Sequence, residues 1–149
     1  MDAHQWAVRV RSAGPNEVRV YARTQTFRVG EQASLRDDDP APSAIECLLG
    51  ALGADLLQGF CVQAARQCLV LHEVEVSLSG RLNNVLVHLG VIGEQGHAGL
   101  ESVTGTLYVS ADADDEAVQA AWRDTLARAP VFATLSRSVQ VAVELRMSP

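Results

Sequence analysis

Cys47, Cys61 and Cys68 are the only thiols in the 149-residue chain, and their spacing limits what they can do. A thiolate attacks peroxides and disulfides, and two thiols within reach of each other can cycle between a sulfenic acid and a disulfide. If one helix carries both, Cys61 and Cys68 share a face but stand ~10.5 Å apart along the axis, beyond the ~7 Å between α-carbons that a disulfide spans. No C-x-x-C pair occurs, so spacing builds neither a zinc site nor a two-thiol redox motif. An odd cysteine count of this kind suits a reducing compartment, which points to the cytoplasm. The ordinary role of these residues is as small apolar side chains on a close-packed face, with Cys61 the one to test as an active thiol.

The acidic residues Glu46 and Asp55 lie nine positions apart in an apolar stretch. On one helix they point to nearly opposite sides, so within one chain they make no acid/base pair. Asp55 stands among Leu52, Ala54, Leu56 and Leu57, where a carboxylate must be paired or hydrogen-bonded to offset its desolvation. His4, His72, His88 and His97 have no ligand-like spacing, and no metal is expected. All twelve basic residues are arginine; without lysine there is no P-loop lysine, no Schiff base and no lysine general base. No serine sits in a G-x-S-x-G elbow, which leaves a hydrolase triad no foothold. Gly90, Gly93, Gly96 and Gly99 recur every third residue without the G-x-G-x-x-G order or a helix pattern behind them, so this stretch reads as a mobile loop. The run Asp37-Asp38-Asp39 reads as solvated loop carboxylates.

The elements that must position these groups follow from periodicity. Val8, Val10, Val18 and Val20 alternate with polar residues around Ala13-Gly14-Pro15-Asn16, predicting a hairpin, and Thr24 to Val29 adds a strand. Ser43 followed by Glu46 forms a capping box for a helix running to about Cys68. On it Ile45, Leu49, Leu52, Leu56 and Phe60 make a bulky stripe, while Cys47, Gly50, Ala54, Cys61, Ala65 and Cys68 make a face of small residues on the other side. A helix apolar all round needs cover that one short chain cannot easily supply, which implies a second subunit. Glu46, Asp55, Gln58 and Gln63 inside the stretch Ala44 to Ala65 argue against a membrane span. Strands are expected at His72–Leu78, Val85–Leu89, Val103–Val109 with a bulge at Gly105, and Val139–Leu145, and a helix at Ala117–Arg128 that Pro130 interrupts. Strands and helices are grouped, so the class is α+β, in a single domain over residues 1–149. A net charge of −6 repels nucleic acid, and Met1 to Gln5 lacks the start of a secretory signal.

The segment Ala44-Ile45-Glu46-Cys47-Leu48-Leu49-Gly50-Ala51-Leu52-Gly53-Ala54-Asp55 resembles the signature of the OsmC/Ohr family, the osmotically induced and organic-hydroperoxide-resistance proteins. Glu46 falls on the family's glutamate and Leu52-Gly53-Ala54 on its Leu-Gly-Ala portion, while Asp55 stands at the position of the cysteine. Ala129-Pro130-Val131 falls on the later Cys-Pro-Val motif, and the likeness extends from about Arg23 to Leu145. The resemblance implies an OsmC-like fold, antiparallel-rich with a long central helix and a second helix, in an intertwined homodimer, with no cofactor. It makes Glu46 a site position that serves as a helix-start residue with an arginine partner. It also implies thiol peroxidase chemistry at positions 55 and 129, assisted by an arginine from the early strands. Arg23 is the best match for that arginine, ahead of Arg28 and Arg36, and it would pair with Asp55. A carboxylate does not form a recyclable sulfenic acid and alanine cannot resolve one, so the peroxidase is expected to be lost. The leading expectation is a protein that binds a small apolar organic molecule at the former hydroperoxide site. The alternatives are a peroxidase using Cys61 and a structural or regulatory dimer without a ligand; no membrane or nucleic-acid partner is expected.

Overall fold

The computed structural model describes residues 3–148, in two compact units, one within the first 50 residues and one from Ala51 onward. In the first unit, β1 (Arg9–Gly14), β2 (Glu17–Ala22) and β3 (Gln25–Val29) form an antiparallel sheet in that order. Asn16 (φ 59°) and Arg23 (φ 56°) occupy the left-handed region at the two reversals. Asparagine tolerates it well; arginine does so at some cost.

After β3 the chain doubles back on itself. Gly30 N donates to Pro42 O at 2.8 Å, and Ala44 N donates to Glu31 O at 3.0 Å. Asp39, read from sequence as solvated, is instead held: Ser34 Oγ donates to it, and Arg36 Nη2 lies 2.7 Å from its Oδ1. These two donors hold its carboxyl below the usual range, the Ser34 hydrogen bond first. The loop delivers Ser43 to the start of α1 (Ala44–Arg66). There Glu46 N donates to Ser43 Oγ at 3.2 Å and Ser43 N to Glu46 Oε1 at 3.0 Å, the reciprocal pair expected from the sequence.

The second unit holds a sheet of β4 (Val70–Leu82), β5 (Leu100–Asp112) and β6 (Gln140–Met147) in that order. β4 and β5 are antiparallel, whereas β6 runs parallel to β5 and is reached through α3 (Asp115–Arg128) and α4 (Pro130–Leu135). Leu52, Leu56 and Phe60 of α1, Val103, Leu107 and Val109 of β5, and Val118, Ala121 and Trp122 of α3 supply its core. Phe60 meets Trp122 edge-on, with ring centroids 6.4 Å apart. A side chain at Gly59 would start 3.0 Å from Thr125 Cγ2, so glycine admits the close approach of α1 and α3. Gly105 is not a bulge as expected. It pairs in register with Leu78, and a Cβ there would overlap the Ser77 carbonyl and the Leu78 side chain.

Three further expectations change. Val85–Leu89 is not a strand: Asn84 Oδ1 accepts from Leu86 N at 3.0 Å and starts the short helix α2 (Val85–His88). A polar side chain at the cap thus outweighs the β preference of the valines. The glycine-rich stretch that follows is tied down by Asn84 Nδ2, which donates to Gln95 O at 2.8 Å, and by Asn83 Oδ1, which accepts from His97 N at 3.0 Å. The long helix also stops at Arg66, because Cys68 adopts the left-handed conformation (φ 57°) and turns the chain toward β4.

Among the described residues α1 is the one helix long and apolar enough to cross a membrane by length and composition. Its stripe of Leu52, Leu56, Phe60, Gln63 and Ala64 is buried in protein. Leu48, Gly50, Ala51, Ala54, Val62 and Ala65 are exposed, with Val62 at 47%.

Candidate functional site

Asp55 is half-buried on α1 and meets the first turn of α4. Its Oδ2 accepts a hydrogen bond from Phe132 N at 2.9 Å. The reason lies in how α4 begins. Ala129 is its N-cap (φ −74°, ψ 114°), Pro130 opens the helix, and no side chain from the chain just before it caps it. Proline at the first helical position removes one orphan donor, but the N–H groups that follow still need acceptors. A serine or aspartate at the N-cap normally reaches the third residue, here Phe132; alanine has no such atom. The carboxylate from α1 takes that role from a distant part of the chain, at the end of the helix where negative charge is favoured. Ala129 itself is 4% exposed and donates its N–H to Thr125 O at 2.9 Å. The second of the two positions that the resemblance implies for the site is thus a buried methyl at the turn that Asp55 holds.

This arrangement binds a backbone amide and offers no sulfur. All three cysteines are free thiols. Burial, then the neighbouring Glu46 charge, pushes the Cys47 thiol above its ordinary pKa and away from reactive thiolate. Cys61 is half-buried, and Cys68 is exposed beyond the end of α1. Glu46 spends its carboxylate on the helix start: the Ser43 N–H, then the Ser43 hydroxyl, hold its pKa below the usual range.

Arg23 is exposed at the reversal between β2 and β3. Arg28 is engaged with Glu17, and Arg36 with Asp39. Among the described residues no three His, Cys, Asp or Glu side chains gather as a metal site. Sequence reasoning required a partner for Asp55 but did not name the Phe132 amide. The usable signal was Ala129-Pro130, a helix start that cannot cap itself, together with a lone carboxylate in an apolar helix.

A family model described as OsmC-like protein matches residues 36–144, most of the chain. No curated protein matches it in sequence. Among solved structures, an OsmC-like protein from Mycoplasma pneumoniae superposes with a TM-score of 0.82 at 12% identity, covering 100% of both chains. The organic hydroperoxide resistance protein OsmC from Legionella pneumophila gives 0.68 at 11% identity over 97% of this chain and 98% of its own. The organic hydroperoxide resistance protein OhrB of Bacillus subtilis gives 0.61 at 15% identity over 95% and 98%. At these identities the likeness speaks for the fold.

Proposed function

From the premise that this chain belongs to the OsmC-like family, we propose that it has exchanged thiol peroxidase chemistry for binding of a small apolar organic molecule at the former hydroperoxide site. The observation that carries the reading is the Asp55 to Phe132 hydrogen bond. The residue that the resemblance puts at the family's cysteine position is a carboxylate committed to a backbone amide, and the one it puts at the second cysteine is the buried Ala129. Relatives named for organic hydroperoxide resistance supply the ligand class. Glu46 and Arg23 enter as further family positions of the site, through the resemblance.

The test is turnover. With cumene hydroperoxide and a dithiol reductant, the protein is expected to consume peroxide no faster than a buffer control. Robust turnover abolished by Cys61→Ser would overturn the reading in favour of a displaced thiol. Cumyl alcohol, the unreactive analogue, is expected to bind saturably and to shift the backbone amide of Phe132; absence of binding would leave a structural dimer as the better account.

In the same reading the protein is a cytoplasmic homodimer whose second copy covers the exposed small face of α1. Leu48, Gly50, Ala51, Ala54, Val62 and Ala65 support this, since glycine and alanine let another backbone come close and apolar surface favours being covered. Sedimentation is expected to give twice the 16.0 kDa chain mass down to low concentration, and a stable folded monomer would refute it.

A further inference from the structure

In the first unit Arg11 stands opposite Arg19, and Arg19 opposite Arg28, so three guanidiniums line up across β1, β2 and β3. Residues directly opposite in an antiparallel pair share a face, with β-carbons ~5 Å apart, and like charges so placed repel. Arg9, opposite Tyr21, lies on the same face with its guanidinium 4.7 Å from the ring centroid. The face carries one carboxylate, Glu17, which is bonded to Arg28. Among the described residues Arg11 and Arg19 enter no side-chain hydrogen bond or ion pair, and Asp39, the held carboxylate of the following loop, is engaged by Arg36 and Ser34. A chain of net charge −6 thus sets Arg9, Arg11, Arg19 and Arg28 against the single carboxylate of Glu17, which bonds Arg28 and attracts Arg19, on one side of a three-stranded sheet.

A groove of about 600 Å³ adjoins this row, lined by Arg19, Thr26, Phe27, Arg28, Pro40 and Pro42, among others. It combines two fork-shaped donors and a hydroxyl with apolar side chains, and its volume suits a small molecule. The net negative charge of the chain disfavours a nucleic acid as the occupant. We propose that this groove binds a small organic anion, its carboxylate or phosphate bridging the Arg19 and Arg28 guanidiniums and its apolar part lying against Pro40 and Pro42. Bound there, the anion relieves the repulsion along the arginine row.

Hexyl phosphate and hexanoate serve as probes, with hexanol as the uncharged control, followed by amide and arginine side-chain NMR shifts. The expected result is saturable shifts at Arg19, Thr26 and Arg28 with one or both anions, weakened by added salt and absent with hexanol. Whichever head group binds identifies the source class. Arg19→Gln is expected to weaken binding about tenfold while leaving the sheet folded, because the side chain is exposed and, among the described residues, makes no hydrogen bond or ion pair within 4 Å. Should that variant fail to fold, the shift map of the unaltered protein decides. Shifts lying elsewhere, equal binding of hexanol, undiminished binding by folded Arg19→Gln, or no saturable shift at millimolar probe would each overturn the proposal.

Discussion

Asp55→Leu is expected to lower the free energy of unfolding by about 1–2 kcal/mol, within the range of one charged hydrogen bond that is partly open to solvent. The substitution leaves the Phe132 N–H without its acceptor, and Ala129 has no atom to take its place. Asp55→Asn keeps an oxygen in reach and is expected to lose less, about 0.3–1 kcal/mol, since the interaction of the negative charge with the helix start goes while the hydrogen bond stays. Urea unfolding at neutral pH measures both. Amide exchange adds a local readout: Phe132 is expected to lose protection in Asp55→Leu and to retain most of it in Asp55→Asn. If Asp55→Leu were as stable as the parent, with Phe132 exchange unchanged, the carboxylate would not be what caps α4.

A larger effect is expected from Asp55→Cys combined with Ala129→Cys. Both positions border the same turn, one through its hydrogen bond to Phe132 and the other as the N-cap of α4. Mild oxidation is therefore expected to join them. Free-thiol counting would then find the three native cysteines titratable and the two introduced ones consumed. Closing a loop of roughly 70 residues restricts the unfolded chain by about 4 kcal/mol in the chain-entropy model, which exceeds the loss of the Asp55 hydrogen bond. The oxidised variant is thus expected to be more stable than the parent and the reduced one less. Failure to form the bond in a folded protein would break the correspondence of Asp55 and Ala129 with the family's two cysteine positions.

The α+β class, the early hairpin, the capping box at Ser43 and Glu46, and the bulky stripe of α1 were legible because each depends on neighbours within a few residues. A period of two or of 3.6 residues reports one-sided burial, whatever covers it. The expectations that failed had the same local basis where a more specific local atom intervened. The valines of Val85–Leu89 favour a strand, yet Asn84 caps them into a helix, and the glycines after them are clamped by Asn83 and Asn84. Asp39 looks like its two acidic neighbours in the sequence, but the fold of the loop turns it toward both Ser34 and Arg36, whereas Asp38 stays exposed at 4.0 Å from Arg36.

What the sequence by itself determined, then, is the early hairpin, α1, α3 and most strands of the second unit, the resemblance around Glu46, and the absence of a thiol at positions 55 and 129. That absence constrains the chemistry in any fold, because no arrangement of a carboxylate and a methyl group makes a recyclable sulfenic acid. Tertiary structure alone decided what Asp55 does. Its partner lies 77 positions away on a helix that cannot cap itself, and no periodicity records which backbone amide is left over when α3 ends and α4 begins. The register that sets Arg11, Arg19 and Arg28 in one row is likewise a product of strand pairing. Spacing along each strand shows which residues share a face, but which charges face each other depends on where the turns let the strands meet.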